Sequence, residues 1–289
     1  MFLFVTLVFS CSAPEKSVDA EKDICNRVSD THCLLPFPSD HWQGDEGNLA
    51  FSTAALPINV DEIPFYSDRL NRLDGYSIGT GFYFKLPGAS LNGVPRWPEI
   101  ESSMSVDSPT HLFNASTGER IPHHVDWEDS AVLDGQEAVM IIRPMEPLPH
   151  STTIIAAVNG IVSDNGHQIE APKGFASLRD GHAENSAVAS QIDTYENIIF
   201  PILKEAGLHR DSLQMAWSAT TASETGTLKT MRQIRDDALT YVNSGPIELN
   251  VDQVENEDCS LENRTGRIIR GTFEAPLYLP TWQPGETFS

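Results

Sequence analysis

The sequence predicts a mainly β protein with an α+β segment towards its C-terminal end. Between residues 80 and 180, short runs of strand-forming residues alternate with turn signals. This pattern is typical of a small antiparallel sandwich. Between residues 181 and 289, the apolar spacing changes from every second residue to every third or fourth, which indicates two helices among strands.

The N-terminal residues 1–11, MFLFVTLVFSC, form an apolar run that ends in a cysteine and turns polar at once. The run is too short to cross a bilayer as a helix, which needs about 20 apolar residues, and it has the features of an export signal. It resembles a bacterial lipoprotein signal, in which Cys11 carries the lipid that holds the mature chain at the membrane. An ordinary cleaved signal with an incidental cysteine is the alternative. Residues 12–24 are polar and form a tether.

The charge balance is strongly acidic, with 41 Asp and Glu against 19 Lys and Arg, a formal net charge of −22. Nucleic-acid binding requires clustered Lys and Arg, so the composition argues against it. It also argues against adsorption to anionic lipid headgroups. Any membrane contact is therefore expected through the lipid on Cys11.

The cysteines outside the signal are Cys25, Cys33 and Cys259. Cys25 and Cys33 lie eight residues apart in a turn-rich stretch, and an exported chain meets oxidising conditions. We expect these two to form a disulfide, with Cys259 left over. The spacing does not suit a zinc site, because no C-x-x-C pair is present.

Residues 25–79 form an irregular, Pro-rich lead-in, interrupted by prolines such as Pro36, Pro38, Pro57 and Pro64. The sandwich segment, residues 80–180, contains strand candidates that stop at turn signals. These candidates are residues 81–86, 111–113, 138–142 and 152–158.

The segment 181–289 begins with a helix whose apolar face is formed by Ile192, Tyr195, Ile199, Ile202 and Leu203 and which ends at Gly207. A strand follows at residues 213–219. A second helix starts near Thr221 and Glu224, which have capping-box spacing. Its expected buried face consists of Leu228, Met231, Ala238 and Tyr241. Nothing near Ser289 resembles a domain edge, so we expect this segment to be truncated.

Two groups of residues have patterns that occur in catalytic or metal sites. Gly75-Tyr-Ser77-Ile-Gly79 satisfies G-x-S-x-G, but a nucleophile elbow lies between a strand and a helix, and neither flank fits. We therefore interpret Ser77 as a turn residue. His123 and His124 stand beside Asp126, but adjacent strand residues point to opposite faces, which disfavours a shared metal ion. The sequence therefore predicts no catalytic, metal or cofactor-binding residues and no cofactor.

Three stretches resemble known bacterial modules. Residues 141–148 and 153–164 are similar to Ig-like modules of bacterial surface proteins, in which a strand, a Pro-Leu corner, a second strand and an Asp-Asn-Gly turn recur. Residues 213–223, LQMAWSATTAS, resemble the N-terminal region of large extracellular lipases of the virulence-factor lipase group. Cys33 to Asp40, CLLPFPSD, is similar to the opening of related lipoproteins. In those proteins an α/β-hydrolase domain follows.

The resemblance implies that this chain is the non-catalytic N-terminal region of an exported, lipid-anchored, lipase- or esterase-like protein. It would present a downstream hydrolase domain that is absent from these residues, and a lipid or ester substrate would be met only there. The alternative is a self-contained binding or adhesion lipoprotein of the cell surface. Whether the protein is an enzyme depends on whether the chain continues.

Overall fold

The computed structural model describes residues 25–29, 31–59, 61–128, 138–184, 186–257, 259 and 264–279. The predicted signal, the tether and Cys11 lie outside these residues. The described part of the chain is mainly β, with three small antiparallel sheets and few helices. It divides into two units, the first ending at Ser223 and the second beginning at Glu224.

The first unit contains two three-stranded antiparallel sheets. One has the order β1-β4-β3 and the other the order β2-β5-β6. The strands of the first sheet are β1 (Phe82–Phe84), β3 (His123–Glu128) and β4 (Val139–Pro144). Those of the second are β2 (Thr110–Asn114), β5 (Thr153–Asn159) and β6 (Leu213–Thr220).

The core of the first unit lies where these two sheets contact each other. The rings of Phe82 and Phe84 on β1 lie 6.3 and 5.8 Å from the ring of Trp217 on β6. The central strand β5 is inaccessible to solvent from Ile154 to Val158, so both of its faces are covered. A strand covered on both faces requires a continuous apolar run, which is what this segment has.

The irregular segment 25–79 packs into this core. Tyr76 donates its hydroxyl to the carbonyl of Ser39 (2.7 Å), and its backbone N–H donates to Thr220 (2.9 Å) at the end of β6. The indole N–H of Trp217 donates to the carbonyl of Pro38 (2.8 Å). These bonds make the Pro-rich segment a structural part of the unit. It has no strand or α-helix among its described residues.

The helices of the first unit are short. They are α1 (Lys173–Arg179), α2 (Ile192–Thr194) and α3 (Phe200–Glu205), with a π-helical turn over Tyr195–Ile199 that joins the last two. Tyr195, Ile199 and Leu203 are buried on one face, and the run ends at Gly207, whose φ of +86° a glycine adopts without strain. Single 3₁₀ turns cover Asp40–Trp42, Thr53–Ala55, Leu70–Arg72, Ile100–Met104, Ala189–Gln191 and Arg210–Ser212.

The boundary between units differs from the one expected at residue 180. Strand β6 belongs to the expected segment 181–289, yet it pairs with β5 along its whole length. The antiparallel ladder runs from the pair Thr153–Thr220 to the pair Asn159–Leu213. The backbone hydrogen bonds of this ladder and the buried Trp217 join the two expected segments into one unit. The division falls after Ser223 instead.

The second unit consists of α4 (Glu224–Asn243) and the hairpin of β7 (Leu249–Asn256) and β8 (Arg267–Phe273). Tyr278 donates its hydroxyl to the carbonyl of Ile234 (3.2 Å), which ties the chain after β8 to the helix. The expectation that Leu228, Met231, Ala238 and Tyr241 form a buried face was wrong. No residue of α4 is buried and Met231 is 61% exposed, because no further layer covers the helix among the residues of this unit that the structure describes.

Candidate functional site

A cavity of about 310 Å³ lies in the first unit between the Asp40–Trp42 turn, the start of the π-helical run and β6. We call it the Asp40–His41 cavity. It combines a largely buried carboxylate, an imidazole and several polar side chains around an aromatic floor. Its lining residues are Ser39, Asp40, His41, Gln43, Asp45, Ser190, Gln191, Thr194, Tyr195, Ile199, Trp217 and Ser218.

The Asp40 side chain is held in place by β6. The hydroxyl of Ser218 donates to Oδ2 (2.7 Å) and the backbone N–H of Thr220 donates to Oδ1 (2.7 Å). Burial raises the pKa of the Asp40 carboxyl, and the hydrogen bonds from β6 oppose that rise. The carboxylate thus fixes the turn against the sheet, and each of its oxygens can still accept a further hydrogen bond.

The His41 ring lies beside Asp40 at the cavity wall. It packs edge-on against Trp42, with ring centroids 4.7 Å apart. Neither ring nitrogen hydrogen-bonds to another described residue. Burial lowers the pKa of His41, so the ring is a neutral imidazole at neutral pH. A neutral imidazole offers one donor and one acceptor.

The opposite wall carries polar side chains from the helical run. Ser190, Gln191 and Thr194 project from it, and Gln43 lies on the side of the turn. Within the described part of the chain, these four side chains make no hydrogen bonds to protein atoms. The floor is apolar and consists of Tyr195, Ile199 and Trp217. The cavity can therefore hydrogen-bond a small molecule through groups that have no internal partner.

A larger groove of about 780 Å³ lies beside α1, but its charged residues, unlike Asp40, are either exposed or paired within the protein. Glu170, Lys173 and Asp211 on its rim are exposed, and Arg179 is engaged by Asp180 (2.7 Å) and the carbonyl of Leu213 (3.0 Å). Of these two cavities, the smaller one is lined by buried titratable groups, Asp40 and Tyr195, which is why we take it as the candidate site.

The structure places Ser77 in an exposed turn. Its Oγ accepts a hydrogen bond from the N–H of Gly79 (3.2 Å), and its carbonyl accepts from Thr80 (3.1 Å). Tyr76 before it bridges to Thr221, and β1 follows at Phe82. A nucleophile elbow needs a helix after the serine, whereas here a strand follows.

The His123–His124 pair lies on β3 with the two rings on opposite faces. His123 is fully buried: Nδ1–H donates to the carbonyl of Ile121 (2.9 Å), and Nε2 accepts from the Thr110 hydroxyl (3.0 Å). The His124 ring lies 3.5 Å from the Asp126 carboxylate, which also pairs with Arg143. Among the described residues, no group of three or more His, Cys, Asp or Glu could hold a metal ion.

A second buried histidine, His111, has no distinguishing pattern in the sequence. Its Nδ1 accepts from the Arg120 guanidinium (2.6 Å), and Nε2–H donates to the Asn159 amide oxygen (2.8 Å). Arg120 also stacks on the Phe113 ring, 4.8 Å from its centroid. Both ring nitrogens of His111 are hydrogen-bonded within the protein, which is the arrangement of a structural network.

Two of the cysteines form the expected disulfide. Cys25 and Cys33 are bonded, with Cα atoms 4.4 Å apart. Cys259 is an exposed free thiol. Cys11 lies outside the described residues.

No family model, curated protein or solved structure matches this chain. Its own residues are therefore the basis for assigning a function. Within the described ranges, no helix is both long enough and apolar enough to span a bilayer.

Sequence reasoning missed the Asp40–His41 cavity because its parts are distant in the chain. Asp40, His41 and Trp42 had no visible partners nearby, whereas Ser218 and Thr220 lie 178 and 180 residues away from Asp40. A local signal was present only for the turn itself, since Ser39 caps it by accepting from the N–H of His41 (3.2 Å).

Proposed function

We propose that this chain is the non-catalytic region of an exported, lipid-anchored, lipase- or esterase-like protein. In this proposal it presents an α/β-hydrolase domain that follows Ser289. The observation that carries the proposal is an apolar face on the second unit that remains exposed among the described residues of that unit.

The hairpin of the second unit has one apolar and one polar face. The strand register places Leu249, Val251 and Val254 of β7 on the same face as Ile269 and Phe273 of β8. Each of these five side chains is at least 51% exposed. The opposite face carries polar groups, among which Arg270 pairs with Glu255.

Such a hairpin requires a packing partner. A two-stranded hairpin alone is marginally stable in water, and an exposed apolar patch on a protein commonly marks an interaction surface. A neighbouring domain of the same protein fits this need, because it would be present at high effective concentration. The exposed apolar face thus supports a presenting role for the second unit.

The geometry around Ser77 supports the non-catalytic part of the proposal. Its hydroxyl is engaged in a turn with Gly79, and the chain around it lacks the strand–helix context of an elbow. In this proposal, any ester or lipid substrate is bound by the neighbouring domain.

Export and anchoring rest on the N-terminal sequence and on the disulfide. Disulfides persist mainly in oxidising compartments, so the Cys25–Cys33 bond supports export. The lipid on Cys11 would hold the protein at the cell envelope. We also propose that the two three-stranded sheets are an Ig-like sandwich, which the contact of β1 with Trp217 supports.

An esterase assay of the purified chain tests the absence of catalysis. We expect no turnover of p-nitrophenyl butyrate above the rate without protein. Turnover that disappears in Ser77→Ala, and persists in the exposed turn variant Ser116→Ala, would contradict the proposal.

A second candidate function is a self-contained binding or adhesion module of the cell surface. The Asp40–His41 cavity favours it, because its polar walls are suited to a small ligand. This alternative predicts a purified chain that melts cooperatively in two transitions. Aggregation that is relieved only by extending the chain would contradict it and would support the presenting role.

A further inference from the structure

We propose that the Asp40–His41 cavity binds a compact, uncharged, hydroxyl-rich molecule of the monosaccharide class. The inference goes beyond the proposed function and does not rest on it, since the cavity lies wholly within the first unit.

The size of the cavity limits the ligand. Its volume of about 310 Å³ is at the small end of the ~300–1,000 Å³ range of small-molecule sites. The space suits one ring-sized molecule and is too small for an extended peptide or a long acyl chain.

The charge of the lining disfavours anions. No Lys or Arg is among the described residues that line the cavity, whereas Asp40 and Asp45 are. A phosphate, sulfate or carboxylate would enter against these two negative groups without a cation to pair with. The ligand is therefore neutral or positively charged.

The hydrogen-bonding groups favour a neutral ligand over a cation. His41, Gln191 and Thr194 each offer both donors and acceptors and have no side-chain partner among the described residues. A ligand that both donates and accepts at several points satisfies all three, and a hydroxyl does this. An ammonium group only donates, so it would leave the donors of the cavity unsatisfied.

The Asp40 carboxyl group adds an acceptor to the polar wall. Each oxygen of Asp40 already accepts one hydrogen bond, from Ser218 or from Thr220. The remaining lone pairs can accept a hydrogen bond from a hydroxyl group of the ligand. Trp217 and Tyr195 close the bottom of the cavity, and because they are only 1% and 2% exposed, the ligand is held by the polar walls and does not stack on these rings.

Saturation-transfer NMR and titration calorimetry on the full chain test this inference. The probes are glucose, galactose, mannose and N-acetylglucosamine, with glucose 6-phosphate as the anionic comparison and ethanolamine as the cationic one. We expect at least one neutral sugar to bind, and glucose 6-phosphate to bind at least tenfold more weakly than that sugar.

Two variants connect binding to the cavity. We expect Gln191→Ala and Thr194→Val each to raise the dissociation constant about tenfold or more, while Gln168→Ala in the larger groove leaves it unchanged. Circular dichroism verifies that each variant is folded. Absence of binding by every neutral sugar, binding unaffected by both cavity variants, or binding of ethanolamine in preference to the sugars would each overturn the proposal.

Discussion

The Asp40 carboxylate joins two segments that are distant in the sequence. It accepts from the Ser218 hydroxyl and from the Thr220 N–H, and both bonds are 2.7 Å long. Hydrogen bonds to a charged group each contribute about 1.5–3 kcal/mol. The Asp40–Trp42 turn is therefore attached to β6 by the Asp40 side chain as well as by apolar packing.

Asp40→Ala removes both hydrogen bonds and leaves their donors without the carboxylate. We expect the free energy of unfolding to fall by about 2–4 kcal/mol, measured by urea denaturation. Asp45→Ala is the matched control, because Asp45 is an exposed carboxylate of the same cavity, and its effect should stay within about 0.5 kcal/mol. Equal effects of the two variants would show that the Asp40 bonds do not stabilise the fold.

The buried histidines predict a loss of stability in acid. Burial lowers the pKa of His111 and of His123 to about 4, whereas an unfolded histidine has a pKa of about 6.5. Protonation then favours the unfolded chain. The contribution of the two histidines to the free energy of unfolding is fully present above about pH 6.5. It falls as the pH drops towards 4, by about 3 kcal/mol for each histidine.

Urea denaturation between pH 7 and pH 4.5 measures this loss. We expect His123→Gln, which cannot be protonated, to have a shallower dependence of unfolding free energy on pH than the natural chain. His167→Gln serves as the control, because His167 is exposed, and its pH dependence should be that of the natural chain. An unchanged slope in His123→Gln would show that His123 is not held neutral by burial.

At the scale of elements, the G-x-S-x-G string is explained by packing. A Cβ on Gly75 would lie 2.6 Å from the backbone N of Ala222 and from the carbonyl carbon of Thr221. The close approach allows Tyr76 to bridge to Thr221 beside β6. Gly79 has no such constraint, since its nearest contact is 3.8 Å away.

Gly75→Ala therefore forces the backbone at residues 221–222 to move. We expect a decrease in melting temperature of about 5 °C or more, corresponding to about 2 kcal/mol, measured by differential scanning calorimetry. Gly79→Ala should change it by about 2 °C at most. If both variants had the same large effect, the turn as a whole, rather than the contact with residues 221–222, would determine the role of these glycines.

The apolar face of the hairpin predicts a contrast between two isoleucines. Ile269 on β8 is 56% exposed, whereas Ile155 on β5 is fully buried. We expect Ile269→Thr to change the unfolding free energy by less than about 1 kcal/mol and to reduce the fluorescence of bound anilinonaphthalene sulfonate. Ile155→Thr should cost about 3 kcal/mol. A large loss of stability in Ile269→Thr would mean that the face is already covered.

Elements with a strong local pattern could be predicted from the sequence. The helical run over residues 192–205 has apolar residues on one face and ends before Gly207, and β5 is a continuous apolar run between turns. Helix α4 has an equally clear stripe, but periodicity indicates only that a face is apolar. It does not indicate whether another layer covers that face.

At the scale of the whole molecule, two features could not be predicted from the sequence because they depend on long-range contacts. They are the burial of the Pro-rich segment and the boundary between the units. The Pro-rich segment 25–79 has no regular pattern, yet Tyr76 and Trp42 are buried in the core. The pairing of β6 with β5 moves the unit boundary to residue 223. Both features depend on which segments meet in space, and neither leaves a periodic signal in the chain.

The two units differ in how much of their apolar surface they bury. The first unit buries its apolar residues between two sheets and the irregular segment, whereas the apolar hairpin face of the second unit is exposed within the described residues of that unit. This difference is the physical basis of the presenting role that we propose, in which a further domain covers the apolar hairpin face.

The most direct test of that role is to sequence the gene through and beyond the codon for Ser289. The account predicts an open frame that continues into a buried strand, a G-x-S-x-G turn and a helix. A stop codon directly after Ser289 would contradict it, and the self-contained surface-binding lipoprotein would then be the better explanation.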